Sequence, residues 1–202
     1  MAILRMFNGD VYADIDSINR IIGPMEIGQF NVDSAFLREV RSWSSPIRQD
    51  QAERVLKSLD ADTEAALVGG GFDHRRVGNL VANDNGGFSM CVRFLGGDAD
   101  APVAELSKET IQNYLTPHHL LVNNIHFLFA GLIAKGLQLK NGQQCVVYLS
   151  PGEYMRLNHE VFNWPIFSQG AGTVAVSCYD LPVEEHKFDL HPELTVPTEM
   201  RF

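Results

Sequence analysis

Two spacings of apolar residues divide this chain. Up to Gly71 helical spacing predominates, and from Val77 onward strand spacing does. Ile3 to Phe7, closed by Asn8-Gly9, reads as a first strand. Ile18, Ile21 and Ile22 share one face of a short helix that Asp16 or Ser17 can cap and Gly23-Pro24 stops. Ile27 to Val32 alternates as a half-buried strand does. Gln49 to Val68 is the clearest helical region. There Val55, Leu56 and Leu59 share a face, and Asp60 or Asp62 can cap a second helix that Gly69-Gly70-Gly71 ends.

Further on, Val77 to Ala82 and Phe88 to Phe94 are apolar runs separated by a turn-rich segment. Ser107 caps a helix with Ile111, Tyr114 and Leu115 on one face, closed by Pro117. Strands are then predicted over Leu120 to Ile133, Leu137 to Lys140 and Gln144 to Leu149, the last two joined by Asn141-Gly142, a strong hairpin signal. Met155 to Leu157, Val161 to Phe162 and Thr173 to Tyr179 follow. This order predicts an α+β fold with an antiparallel β-barrel and N-terminal helices packed outside it. One domain is expected over 1–202: a helical N-terminal portion (1–72), the barrel (77–181) and a tail (182–202) that wraps the surface.

Composition narrows the function classes. The chain has 202 residues, of which 45% are hydrophobic, and a net charge of -9. That charge argues against a nucleic-acid surface, which needs clustered Lys and Arg. No apolar segment reaches the roughly 20 residues of a membrane span, and no secretory signal is evident, so a cytosolic setting is the default. Cys91, Cys145 and Cys178 are widely spaced in apolar runs and read as buried reduced thiols.

The stretch from Pro117 to Trp164 resembles the cupin superfamily and, within it, the acireductone dioxygenases. Lys108 through Leu120 looks like the helix leading into that family's Glu-His-x-His segment, and Asn124-Ile125-His126-Phe127-Leu128-Phe129-Ala130-Gly131 like its Glu-Val-Arg-Phe-Phe-Val-Glu-Gly strand. Pro151-Gly152-Glu153 and Asn163-Trp164 fall where the family has Gly-Asp and His-Trp. The resemblance implies a double-stranded β-helix barrel and a metal held by three His and one Glu. The matching residues are His118, Leu120, Asn124 and Asn163. A Leu cannot ligate, and neutral amides are poor ligands for a transition metal. Sliding the register to His119 does not restore a carboxylate. No metal and no cofactor are therefore expected.

Strand alternation puts His118, Leu120, Val122, Asn124, His126 and Leu128 on one face. His118 and His126 are candidate acid and base in the barrel pocket, with Asn124 and Asn163 orienting a substrate and Trp164 and Tyr148 lining the mouth. The expected activity is a lyase, isomerase or cyclase step on a small organic molecule. Two alternatives stand beside it: a non-catalytic binding or scaffold protein whose two imidazoles satisfy each other or a backbone carbonyl in a plugged barrel, and an oxygenase with an unusual metal site. Asp73-His74-Arg75-Arg76 reads as a solvated turn, and His186 and His191 as solvated tail residues.

Overall fold

The computed structural model describes residues 1–44, 46–82, 88–94, 104–105, 107–159, 161–166, 172–182 and 185–193. In chain order its elements are β1 (Ile3–Met6), β2 (Val11–Tyr12), α1 (Ile15–Ile22), β3 (Glu26–Gln29), α2 (Ser34–Arg41), α3 (Gln49–Lys57), α4 (Ala61–Gly69), β4 (His74–Ala82), β5 (Phe88–Phe94), β6 (Ala104–Glu105), α5 (Lys108–Leu115), β7 (His118–Leu120), β8 (Asn124–Ala130), β9 (Ile133–Gln138), β10 (Gln144–Leu149), β11 (Glu153–Leu157), β12 (Phe162–Ile166), β13 (Thr173–Tyr179) and β14 (Phe188–Leu190).

The strands form two seven-stranded sheets, ordered β14-β7-β12-β9-β10-β1-β2 and β3-β11-β8-β13-β4-β5-β6. Every pairing is antiparallel among the described residues. Among the described residues the expected barrel is thus two open sheets, whose hydrogen-bonded ladders do not close into one ring. Two strands of the N-terminal third, β1 and β3, are built into these sheets. The tail contributes too: β14 pairs with β7 at the edge of the first sheet.

Both faces of the second sheet are covered along most of β8, which explains why Phe127 to Ala130 is continuously apolar. Ile125, Phe127 and Phe129 pack with Val174, Val176 and Cys178 under Val40 of α2, Ala52 and Val55 of α3, and Leu67 of α4. On the opposite face, Leu128, Met155 and Leu157 meet Leu4, Leu137, Val147 and Leu149 of the first sheet, with Ile18 and Ile22 of α1. Each such large side chain taken out of water contributes about 1.5–3 kcal/mol. The two sheets therefore face each other across a shared core. At one end that core is apolar; at the other it opens into the cavity described below.

Local chemistry places the helices. The Asp14 carboxylate accepts from Ser17 N at 3.1 Å, so the cap of α1 lies ahead of the expected Asp16 or Ser17. Asp60 caps α4 through Thr63 N at 2.8 Å, and Gly71 turns the chain away with φ 79°. Helix α2, unforeseen in the sequence, starts at Asp33, which accepts from Ala35 N. Asn141-Gly142 turns β9 into β10, with Gly142 at φ 81° and Gln138 opposite Gln144. Cys145 and Cys178 are buried free thiols.

Candidate functional site

Between the sheets lies a cavity of about 110 Å³, space for several waters or a small organic molecule. The first sheet contributes His118 and Leu120 from β7, Lys135 from β9 and Asn163 from β12; the second contributes Arg76 from β4, Asn124 and His126 from β8, and Ser177 and Tyr179 from β13. Tyr114 of α5 adds a phenol. His118, Asn124, His126 and Asn163 are thus brought to one space.

The reason differs from simple alternation along one strand. The chain leaves the first sheet after Leu120 and enters the second at Asn124. His118 and Asn124 consequently face the cavity from opposite walls. Val122, in the crossing, packs instead with Leu120, Tyr179 and Phe188, and Leu128 belongs to the apolar core beyond the cavity.

Trp164 and Tyr148 do not line this cavity. Side chains alternate along a strand, so Trp164 points away from the face that Asn163 shows. Its ring lies over Gly136, its cross-strand neighbour, in a cluster with Ala134, Val146, Phe162 and Ile166. Tyr148 packs against that same cluster, its ring near the Arg5 guanidinium.

Hydrogen bonds set the imidazoles. His118 Nδ1 lies 2.6 Å from the carbonyl oxygen of Thr116. A carbonyl only accepts, so Nδ1 carries the proton and Nε2 is left as the basic nitrogen. His126 Nδ1 lies 2.8 Å from Ser177 Oγ, the side chain directly across the β8–β13 ladder. The two imidazoles do not satisfy each other, and the space between the sheets is not plugged. Burial first and the Lys135 charge after it lower the pKa of both, His118 to about 4 and His126 to about 3. Both are neutral at pH 7. His118 exposes only 1% of its surface, whereas His126 and Lys135 are half-buried and offer atoms to the cavity.

Lys135 was not foreseen as a site residue. Its Nζ donates to Asn163 Oδ1 at 3.3 Å, and burial lowers its pKa to about 8. The signal was present in the sequence: in Ile133-Ala134-Lys135-Gly136-Leu137 the lysine shares strand parity with two apolar residues that face the core. Arg76 corrects the reading of Asp73 to Arg76 as a solvated turn. It is a strand residue, 4% exposed, with its guanidinium over the Tyr179 ring. Arg75, one position earlier, points the other way and pairs with Glu64 of α4.

The residues at the position implied for a metal do not fit one. Leu120 offers no donor, His118 Nε2 is the one good ligand atom of the four matching residues, and Asn163 Oδ1 accepts from an ammonium that would repel a divalent cation. Asn124 Oδ1 is buried without a hydrogen-bond partner among the described residues; a single neutral oxygen is no metal centre. A different cluster has the composition of a metal site. His119, Asp189 and His191 place ligand atoms within 4.8 Å of one another. His119 and Asp189 are cross-strand neighbours of β7 and β14, and both imidazoles lie against the Phe162 ring, with centroids 5.1 and 5.2 Å from it. None of the three lines the cavity. His191 is therefore one of a cluster, not a lone solvated tail residue.

The two facing antiparallel sheets, with helices on the outside of the second, decide the architecture. The chain has a cupin-like fold. It is similar to the acireductone dioxygenase from Bacillus anthracis with a cadmium ion in its active centre, with a TM-score of 0.68 and 13% identity over 90% of this chain and 94% of that one. At that identity the likeness shows the fold alone. No family model matches the sequence, and no curated protein matches it. Among the described residues no helix is long and apolar enough to cross a membrane.

Proposed function

We propose that this cupin-like protein is an enzyme that carries out metal-independent proton transfer, of the lyase, isomerase or cyclase kind, on a small polar organic molecule held between its sheets. The observation that carries this reading is the open cavity of about 110 Å³ into which His126, Lys135, His118, Asn124 and Asn163 project from both walls. A scaffold protein with a plugged interior has no need of such a space. His126, partly accessible and neutral, is the better placed proton acceptor, and His118 Nε2 the second. Asn124 Oδ1, without a partner among the described residues, accepts from a substrate hydroxyl, and Asn163 orients the Lys135 amine.

An oxygenase with an unusual metal site is the second reading, favoured by the His119–Asp189–His191 cluster. Two imidazoles and a carboxylate suit Zn²⁺ or Fe²⁺. None of the three lines the cavity, so an ion there would not touch a molecule held between the sheets.

One experiment separates these readings. The chelator-treated full chain is incubated with a mixture of small metabolites, and the compound consumed is identified by mass spectrometry. Consumption that persists without metal and is lost in His126→Ala supports the proton-transfer reading. Consumption only after Fe²⁺ or Ni²⁺ is restored supports the oxygenase. Binding without conversion supports a non-catalytic role.

A further inference from the structure

We propose that Lys135 is a covalent catalyst whose Nζ condenses with the carbonyl carbon of a small aldehyde or keto compound in the cavity to form an imine. This rests on the reading of the cavity as a proton-transfer site and names the substrate class for it. Lysine side chains in protein interiors are ordinarily held as cations by a carboxylate. Here no carboxylate pairs with Lys135 among the described residues, and the one hydrogen bond from Nζ goes to the neutral amide oxygen of Asn163. The Lys135 side chain lines the cavity and is half-buried. Desolvation lowers its pKa to about 8, so much more of it is the free amine at neutral pH than for an ordinary lysine.

The surroundings suit the chemistry that follows attack. The amine lone pair forms the C–N bond while the carbonyl π pair moves to oxygen, which takes up one proton released by the attacking nitrogen and becomes the hydroxyl of a carbinolamine. Asn124 Oδ1, buried, without a partner among the described residues and on a residue lining the same cavity, can accept from that hydroxyl. The nitrogen lone pair then expels the hydroxyl, which departs as water with the remaining N–H proton, giving C=N. Net, amine and carbonyl become imine and water, with no oxidant or reductant required. Once protonated, the imine draws electrons from the neighbouring carbon, whose proton His126 Nε2 can remove. His126 Nδ1 is already engaged by Ser177.

The test uses the full chain at pH 7.5 with pyruvate, and separately acetaldehyde, in the presence of sodium cyanoborohydride, followed by peptide mass spectrometry. The exposed lysines Lys57, Lys108, Lys140 and Lys187 serve as internal controls. Lys135 should acquire the reduced adduct at least about ten-fold faster than these, because its free-amine fraction is roughly 100-fold larger. Labelling of Lys135 no faster than of Lys140 with both probes overturns the proposal. A parallel measurement follows exchange of the pyruvate methyl protons in D2O. Trapping without exchange keeps the imine and removes His126 from proton transfer. Exchange without trapping overturns the imine and leaves the acid/base reading. Neither overturns both.

Discussion

Lys135 Nζ donates to Asn163 Oδ1 across 3.3 Å, from neighbouring strands of one sheet and into the space between two. An ammonium held by a neutral amide in a buried site is electrostatically expensive. Much of what can be measured on this protein follows from that pair.

Against the buried thiols Cys145 and Cys178, whose raised pKa values work the other way above about pH 9, Lys135 should contribute a rise in stability in alkaline solution. Lys135 titrates at about 8 in the folded protein against 10.5 in an unperturbed chain. Between those values the unfolded chain holds a proton that the native one has released, so stability increases with pH there, and the full penalty is felt below pH 8. We expect Lys135→Met to be more stable than the parent at pH 7 by about 1–3 kcal/mol. The substitution should also abolish the alkaline rise. Denaturant melts at pH 7 and pH 10 check this. Identical pH dependence in the two proteins would mean the amine is well solvated.

On the acid side the imidazoles dominate. His118 and His126 titrate at about 4 and about 3 when folded, chiefly through desolvation, against 6.5 when unperturbed. The unfolded chain gains their protons first, so stability falls as pH drops from about 6.5 toward 4, on the order of 3 kcal/mol per imidazole. In NMR titrations their ring protons should stay at the neutral position down to pH 5. Inflections near 6.5 for both would show a cavity open to bulk water.

Turnover should show no inflection near pH 6.5, where an ordinary histidine would place one. A rate that needs the free amine of Lys135 rises to a plateau above about pH 8, and that limb should vanish in Lys135→Met. His126→Ala should cost roughly 100- to 10,000-fold in kcat while the fold survives, the usual worth of a positioned proton acceptor. A pH-independent rate in the parent enzyme would remove Lys135 from the chemistry.

Metal binding should map to the outside of the sheet. Titrated with Zn²⁺, the chelated protein is expected to bind through His119, Asp189 and His191, at least about ten-fold more weakly in His191→Ala and equally well in His118→Ala. Loss of binding on His118→Ala alone would place the ion in the cavity and favour the oxygenase.

Gly136 has a packing role that a single methyl group should expose. A Cβ there would lie 1.9 Å from Trp164 Cε2, so the indole must leave its place over the strand. Gly136→Ala should destabilise by about 1–3 kcal/mol, typical of overpacking, with a shift in tryptophan fluorescence. An unchanged melting temperature would mean the cluster around Val146 and Phe162 repacks freely.

The sequence by itself determined much of the strand series and the residues capable of chemistry near its middle. Period-two alternation and turn residues are local signals, so Gln144 to Leu149 and Thr173 to Tyr179 coincide with β10 and β13, and the Asn141-Gly142 hairpin lies where its turn preference puts it. The same alternation should have excluded Trp164 once Asn163 was placed inward, because adjacent residues of a strand cannot share a face. Tertiary structure alone decided which strands share a sheet. The crossing between Leu120 and Asn124 turns one predicted strand into two opposite walls, and period two says nothing about such a change of partner. It also decided that Asp189 stands beside His119, and that Lys135 and Arg76 turn inward. Pairing of residues distant in sequence depends on the burial gained by the whole assembly of sheets and helices, and no single segment carries that information.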